Sequence, residues 1–145
     1  MLYNEDMKVA IVYRSMTGHS KKIAKAIAGA FGVEPLNVKE NHLIKNVDLL
    51  FIVGGIYSGK SLPEMLSFVE TLDKTDIKQA VLITSSLLDK NGQDEVRAIL
   101  ESKGIKVAEK EFRCLGNFLV CKMGHPNKKE VADAVEFAKA MEQKT

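Results

Sequence analysis

The chain has 145 residues, 46% hydrophobic and 28% charged, which is the make-up of one globular domain over 1–145 and excludes disordered and fibrous classes. A formal charge of +2 with scattered lysines argues against nucleic acid, and no apolar run approaches the length of a membrane span. Two cysteines, Cys114 and Cys121, make no disulfide framework, and Met1–Asp6 is no signal peptide, so the expectation is a cytoplasmic monomer.

The first element is Lys8-Val9-Ala10-Ile11-Val12-Tyr13, a β-branched strand apolar on both faces. It runs into Ser15-Met16-Thr17-Gly18-His19-Ser20, a small hydroxyl-rich loop. Ile23, Ile27 and Phe31 then recur at helical spacing, with Gly32 as the stop. A strand, a hydroxyl-rich turn and a helix start together make an anion site: the first-turn amides are unpaired, the dipole favours negative charge, and glycine lets the backbone curl. Lys21 and Lys22 fall in that first turn, where positive charge opposes the dipole unless an anion is bound.

Val33–Val38 reads as a second strand, and Pro35 inside it assigns it to a sheet edge, since proline cannot donate to a ladder. Residues 39–47 are a polar connection. Asp48–Val53 is a continuous apolar strand, and Gly54–Lys60 reads as a loop. Ser61-Leu62-Pro63-Glu64 has the pattern of a capping box, opening a helix that buries Met65, Leu66, Val69 and Leu72. Ala80–Thr84 is a fourth strand. A helix over about 93–103 uses Val96, Ile99 and Leu100 and stops at Gly104. Ile105–Cys114 is strand-like but charged at Glu109, Lys110 and Glu111. The last helix starts near Asn127 and turns Val131, Val135, Ala138 and Met141 inward.

Strands one, three and four are apolar throughout, which places them in the middle of a parallel sheet covered on both faces. Strands two and five look like edges. Right-handed crossovers then favour an α/β three-layer sandwich with a five-stranded parallel sheet of order 2-1-3-4-5. Ligands of such sheets sit outside the carboxyl ends, at the switch point between strands one and three. The loops at 15–20 and 54–60 face each other there.

These features resemble the flavodoxin family over essentially the whole chain. The most specific part is Ser15-x-Thr17-Gly18-x-Ser20 after the first strand, similar to the family's hydroxyl-rich phosphate loop. Gly54-Gly55-Ile56-Tyr57-Ser58-Gly59 stands where the family has a loop beside the flavin ring. The ending Cys114-Leu115-Gly116-Asn117-Phe118, then Gly124-His125-Pro126-Asn127, looks like a subgroup of small flavodoxin-like proteins. The resemblance implies a flavodoxin-like fold binding FMN non-covalently, with this strand order and switch-point site being known properties of that family. It implies that Ser15, Met16, Thr17, Gly18, His19 and Ser20 hold the FMN phosphate. Gly55, Ile56, Tyr57, Ser58 and Gly59 would flank the isoalloxazine, with Tyr57 against the ring and Gly59 as the peptide that answers its reduction. Ser85, Ser86 and Leu87 would flank the other side.

Two features depart from the family. The loop after strand four is Ser85-Ser86-Leu87-Leu88-Asp89, without an aromatic residue. The sequence pI is near 8.5, whereas flavodoxins are typically acidic, which implies a different redox partner protein or a small-molecule electron acceptor.

The leading expectation is electron transfer as a carrier. The alternatives are an FMN-dependent NAD(P)H oxidoreductase acting on a quinone-like or other small acceptor, and a nucleotide-binding protein. The last arises because Gly54–Ser61 satisfies G-x-x-x-x-G-K-S after a strand and before a helix. Pro63 removes a first-turn amide, and no apolar strand ends in an aspartate to hold Mg²⁺, both of which count against it. Cys114, Cys121 and His125 match no common zinc spacing, so no metal is expected. Residues 115–126 emerge from the ligand edge and are candidates to cover the flavin. No G-x-S-x-G nucleophile elbow is present.

Overall fold

Alternation of apolar strands with amphipathic helices carries through to a single mixed sheet. The computed structural model describes residues 7–16, 18–40, 42–57, 60–86, 92–115 and 128–144. In chain order these form β1 (Val9–Arg14), α1 (His19–Phe31), β2 (Pro35–Asn37), β3 (Val47–Tyr57), β4 (Lys60–Ser61), α2 (Pro63–Glu70), β5 (Ile77–Ser86), α3 (Asp94–Ser102), β6 (Phe112–Leu115) and α4 (Lys128–Lys144). The parallel path is β2-β1-β3-β5-β6, and β4 pairs antiparallel with β3 alone. This is the expected 2-1-3-4-5 order of a flavodoxin-like α/β sheet. The proline-bearing strand lies at one edge, and the strand after the charged stretch lies at the other.

Strand alternation divides the core in two. Ile11, Phe51 and Ile83 face Ile23, Ile27 and Phe31 of α1 and Ala134, Ala138 and Met141 of α4. Val12, Ile52 and Leu82 face Met65 and Val69 of α2 and Val96 and Leu100 of α3. A lone helix as short as α1, with 13 residues, is marginal in water. Its stability therefore comes from burying Ile23, Ile27 and Phe31, each worth roughly 1.5–3 kcal/mol against exposure. At the opposite end of the sheet, the Asp48 carboxylate accepts from the Lys8 amide at 2.8 Å and meets the Lys78 ammonium at 3.0 Å, tying the start of β3 to the start of β1. These bonds, the Lys8 amide first, hold the Asp48 carboxyl below its usual range.

Several boundaries differ from the sequence expectation, each for a local reason. β3 does not stop at Val53 but continues through Gly54-Gly55-Ile56-Tyr57, so the stretch expected as a loop is extended and paired with β5 as far as Ile56. The capping box is absent. Leu62 is the N-cap of α2 and makes no side-chain cap bond, and Ser61 belongs to β4 with its hydroxyl buried and unpartnered. Phe68 is buried on α2 while Leu66 is only half-buried, and Leu72 packs just beyond the helix end. The expected fifth strand shrinks to Phe112–Leu115, preceded by one isolated bridge from Val107 to Ala80.

Candidate functional site

The carboxyl ends of β1 and β3 diverge to helices on opposite faces, α1 on one and α2 on the other, and the crevice between them holds the candidate site. Its first wall is the loop after β1. Gly18 is the N-cap of α1 with φ +91°, a left-handed conformation that L side chains rarely adopt. No side chain caps the helix, and its first turn holds no acidic residue. Lys21 and Lys22 are exposed there. The Gly18 amide donates to Ser15 Oγ at 2.8 Å, which curls the loop onto itself. Ser20 has 0% exposure, and its hydroxyl is buried without a partner. Met16 is 62% exposed at the rim, and His19 is half-buried. Thr17 lies outside the described residues.

The second wall comes from β3. Gly54, Gly55 and Ile56 are buried and Tyr57 is half-buried. Tyr57 turns back across Gly55: a Cβ on that glycine would stand 2.5–2.7 Å from the phenol, so only glycine lets the ring lie there. The Tyr57 hydroxyl then accepts from the Met16 amide at 3.2 Å. The structure thus joins the two predicted loops by a direct hydrogen bond. β4 returns antiparallel, with Tyr57 opposite Lys60 and Ile56 opposite Ser61, and the Ser61 amide donates to Glu95 Oε1 of α3 at 2.9 Å. Ser58 and Gly59, between the two strands, lie outside the described residues.

This geometry counts against a nucleotide phosphate loop at 54–61. Four of its positions are extended strand, two more are the antiparallel return, and the helix begins only at Pro63, whose nitrogen carries no hydrogen. Gly54–Tyr57 are paired into the sheet and the Ser61 amide is taken by Glu95, so these positions do not form a turn that cradles a phosphate. By contrast, α1 begins directly after the loop at 15–20.

The third wall is the end of β5. Ser85 is buried opposite Gly55 and beside Cys114, and Ser86 stands opposite Ile56. Both are the last residues of a strand rather than loop residues. Leu87, and with it the rest of 87–91, lies outside the described residues, as do 116–127 with Cys121 and His125. Among the described residues no group of His, Cys, Asp or Glu is placed to hold a metal ion, and no helix is long and apolar enough to cross a membrane. A separate cavity of about 750 Å³ lies between Val38–Lys45 and α2, and none of the described crevice residues lines it.

Sequence reasoning passed over Arg14. It ends β1, one residue before the loop, with its guanidinium on Glu64 Oε1 at 3.3 Å and on the Ser15 carbonyl at 2.5 Å. Its position as the only charged residue at the end of an apolar strand was the available signal.

Two observations show that the residues present suit the phosphate of FMN. A buried hydroxyl with no partner sits in the first turn of an uncapped helix. Around Gly18, a Cβ would meet nothing within 4 Å, leaving open space beside the loop. Helix-start amides and hydroxyls are the donors a phosphate monoester needs.

A model of the flavodoxin domain matches residues 10–142. An uncharacterized protein of Methanocaldococcus jannaschii is 31% identical over 148 residues, covering 93% of this chain and 98% of that one. A flavodoxin from the domain Archaea superposes with a TM-score of 0.69 at 16% identity, covering 95% and 98% of the two chains. Oxidised Flavodoxin 2 from Bacillus cereus gives 0.67 at 16% identity over 95% and 99%. With a family model matched from the first strand to the last helix, the chain belongs to the flavodoxin domain family.

Proposed function

We propose that this chain binds FMN non-covalently at the crevice between β1 and β3 and serves in electron transfer as a carrier. The observation that carries the reading is the unpartnered, fully buried Ser20 hydroxyl in an uncapped helix start behind a left-handed glycine. Burying a hydroxyl without a partner costs about 1–3 kcal/mol, and a bound phosphate oxygen would offset that cost.

FMN supplies the redox chemistry when bound. The chain's own residues bind and orient it. Ser15, Met16, Thr17, Gly18, His19 and Ser20 surround the phosphate through backbone amides and hydroxyls rather than through a cationic clamp. Gly55, Ile56, Tyr57, Ser85 and Ser86 line the ring half of the crevice; Ser58, Gly59 and Leu87, outside the described residues, are assigned to it by the family resemblance. Tyr57 is the aromatic residue there, and its hydroxyl bond to Met16 couples the ring half to the phosphate half.

A second dinucleotide phosphate would need a cationic partner; Arg14 is engaged by Glu64 and Arg97 by Glu101 and Glu111, which leaves Arg113, exposed on β6, as the arginine that could serve one. Only two residues separate β3 from β4, which leaves little room for an added nicotinamide-binding segment.

The purified or FMN-reconstituted protein is expected to be yellow and to release one flavin on heating. Stoichiometric ATP binding without flavin affinity would overturn the reading. Stopped-flow mixing of the FMN form with excess NADPH separates carrier from enzyme. Slow reduction by NADPH alone, with fast reduction by dithionite or a separate reductase, is the carrier's result. Millisecond reduction that saturates with NADPH would make the oxidoreductase correct.

A further inference from the structure

Beneath the ring half of the crevice lies a polar cluster that sequence reading left unassigned. Glu111, just before β6, has a side chain only 5% exposed. Its Oε2 accepts the Thr84 hydroxyl from β5 and, at 2.8 Å, the Gln93 amide at the N-cap of α3. Its Oε1 lies 3.6 Å from the Arg97 guanidinium. Gln93 has 0% exposure, and its Nε2 donates both to the Ile52 carbonyl of β3 at 3.1 Å and to the Ile83 carbonyl of β5 at 3.0 Å.

Two glycines make room for the cluster. A Cβ on Gly54 would stand 2.7 Å from Gln93 Oε1, which has no hydrogen-bond partner, and a Cβ on Gly92 would run into the Glu111 carboxylate. Thr84 pairs in register with Gly54, one step beneath the Ser85–Gly55 pair of the candidate site.

A buried carboxylate and a buried amide cost more than the apolar side chains that fill the rest of this core. The described buried polar residues are Ser20, Ser61, Thr84, Ser85, Gln93 and Glu142, and all but the last sit at the crevice end of the sheet. Apart from Glu142 the expense lies at that end, and there it ties Ile52 of β3, Ile83 and Thr84 of β5 and the start of α3 into a single hydrogen-bonded set. Apolar packing tolerates small slides; directed bonds to two strand carbonyls do not.

We propose that Glu111 and Gln93 are positioning residues that fix the two strand ends on which the flavin ring rests, acting on the ring half of the site and not on the phosphate half. This rests on the FMN reading above. Neither residue touches the ligand. Gln93 holds β3 and β5 at one spacing, and Glu111 locks Gln93 and the segment entering α3 onto Thr84.

The test titrates FMN and riboflavin into the wild-type protein, Glu111→Gln and Thr84→Val, with the visible circular dichroism of bound FMN recorded for each. Riboflavin carries the ring without the phosphate. Glu111→Gln is expected to weaken both ligands by a common factor of about ten, leaving their ratio unchanged, and to alter the visible band. Thr84→Val, which removes one donor at nearly constant volume, gives the same pattern at smaller size and answers the question if Glu111→Gln does not fold. Variants that melt earlier yet bind both flavins as the wild type does would overturn the positioning role while leaving the FMN reading intact. A loss confined to FMN would overturn it too, by placing the effect at the phosphate. A wild-type protein that binds neither flavin overturns the FMN reading and this proposal together.

Discussion

The chain holds two glycine-and-hydroxyl-bearing stretches, each entered from an apolar strand and left by a helix, and they are built in opposite ways. At 15–20 the strand ends at Arg14, one glycine takes φ +91°, and α1 starts at once with its first turn uncapped. At 54–61 the strand runs on through two glycines, reverses, and returns as β4 before α2 opens on a proline. The literal phosphate-loop pattern belongs to the second stretch, yet α1 starts directly off the first loop, whereas α2, equally without a side-chain cap, opens past the pattern on a proline. An anion site needs a helix start set directly against the loop, which the spelling of a motif does not by itself supply. Gly55 illustrates the point. Its lack of a side chain serves Tyr57, which lies over it, rather than the approach of a ligand to the backbone.

The difference is sharpest at Gly18. Gly18→Val places a β-branched residue at φ +91°, where strain is of order 1–3 kcal/mol even though a Cβ would meet no neighbour. The variant either bears that strain or unbends the loop, so FMN affinity should fall by about a hundredfold or more by isothermal titration. Retention of normal affinity would remove the loop at 15–20 from the site.

Ser20→Ala comes next and carries two opposite signs. FMN affinity should fall by about 1–2 kcal/mol, roughly tenfold, for the loss of a donor to a charged phosphate. The ligand-free protein should melt no earlier, because the deleted hydroxyl is buried and unpartnered. A clear loss of ligand-free stability would mean that the hydroxyl is satisfied without the ligand, and the fit to phosphate would lose its main support.

Tyr57→Phe tests the bond between the two walls. Freeing the Met16 amide from the phenol should tighten FMN by less than about 1 kcal/mol, a few-fold at most. Weakening instead would show that the hydroxyl contacts the ligand directly. The smallest effect belongs to Lys60, exposed on the short return strand. Lys60→Ala should stay within about 0.5 kcal/mol for FMN, as surface changes do. Loss of binding there would exchange the roles of the two stretches.

Much of this architecture was legible. Pro35 placed β2 at an edge, and unbroken apolar runs placed β1, β3 and β5 in the middle, because both are direct consequences of ladder bonding and two-sided burial. Strand ends were less legible. Gly54-Gly55 reads as punctuation, and pairing, with β5 out to Ser86 and with β1 at Arg14, keeps it extended. Ser61 had the spelling of a cap, but the antiparallel return to Ile56 claims it for a strand. At the crevice, the turn at 15–20 between β1 and α1 could be read because its signals are local. Arg14 with Glu64, and Glu111 with Gln93, could not, since each pair joins elements far apart in the chain and no spacing links them. Glu111 in particular looked like surface charge on an edge strand, whereas it is nearly enclosed.

The shortness of β2 has a consequence for how copies of this protein behave toward one another. A sheet border invites a second chain when it offers a long row of unpaired donors and acceptors. Here that border is three residues, Pro35–Asn37, and its first residue has no amide hydrogen to offer. Just past it the chain leaves the ladder, with the Lys39 amide turned to Asn37 Oδ1 at 3.0 Å and the Glu40 amide to the Asn37 carbonyl. A neighbour arriving along this side would find too few rungs to hold, so concentrated solutions are protected from strand-by-strand polymerisation on this flank by the same proline that fixed the place of β2 in the sheet.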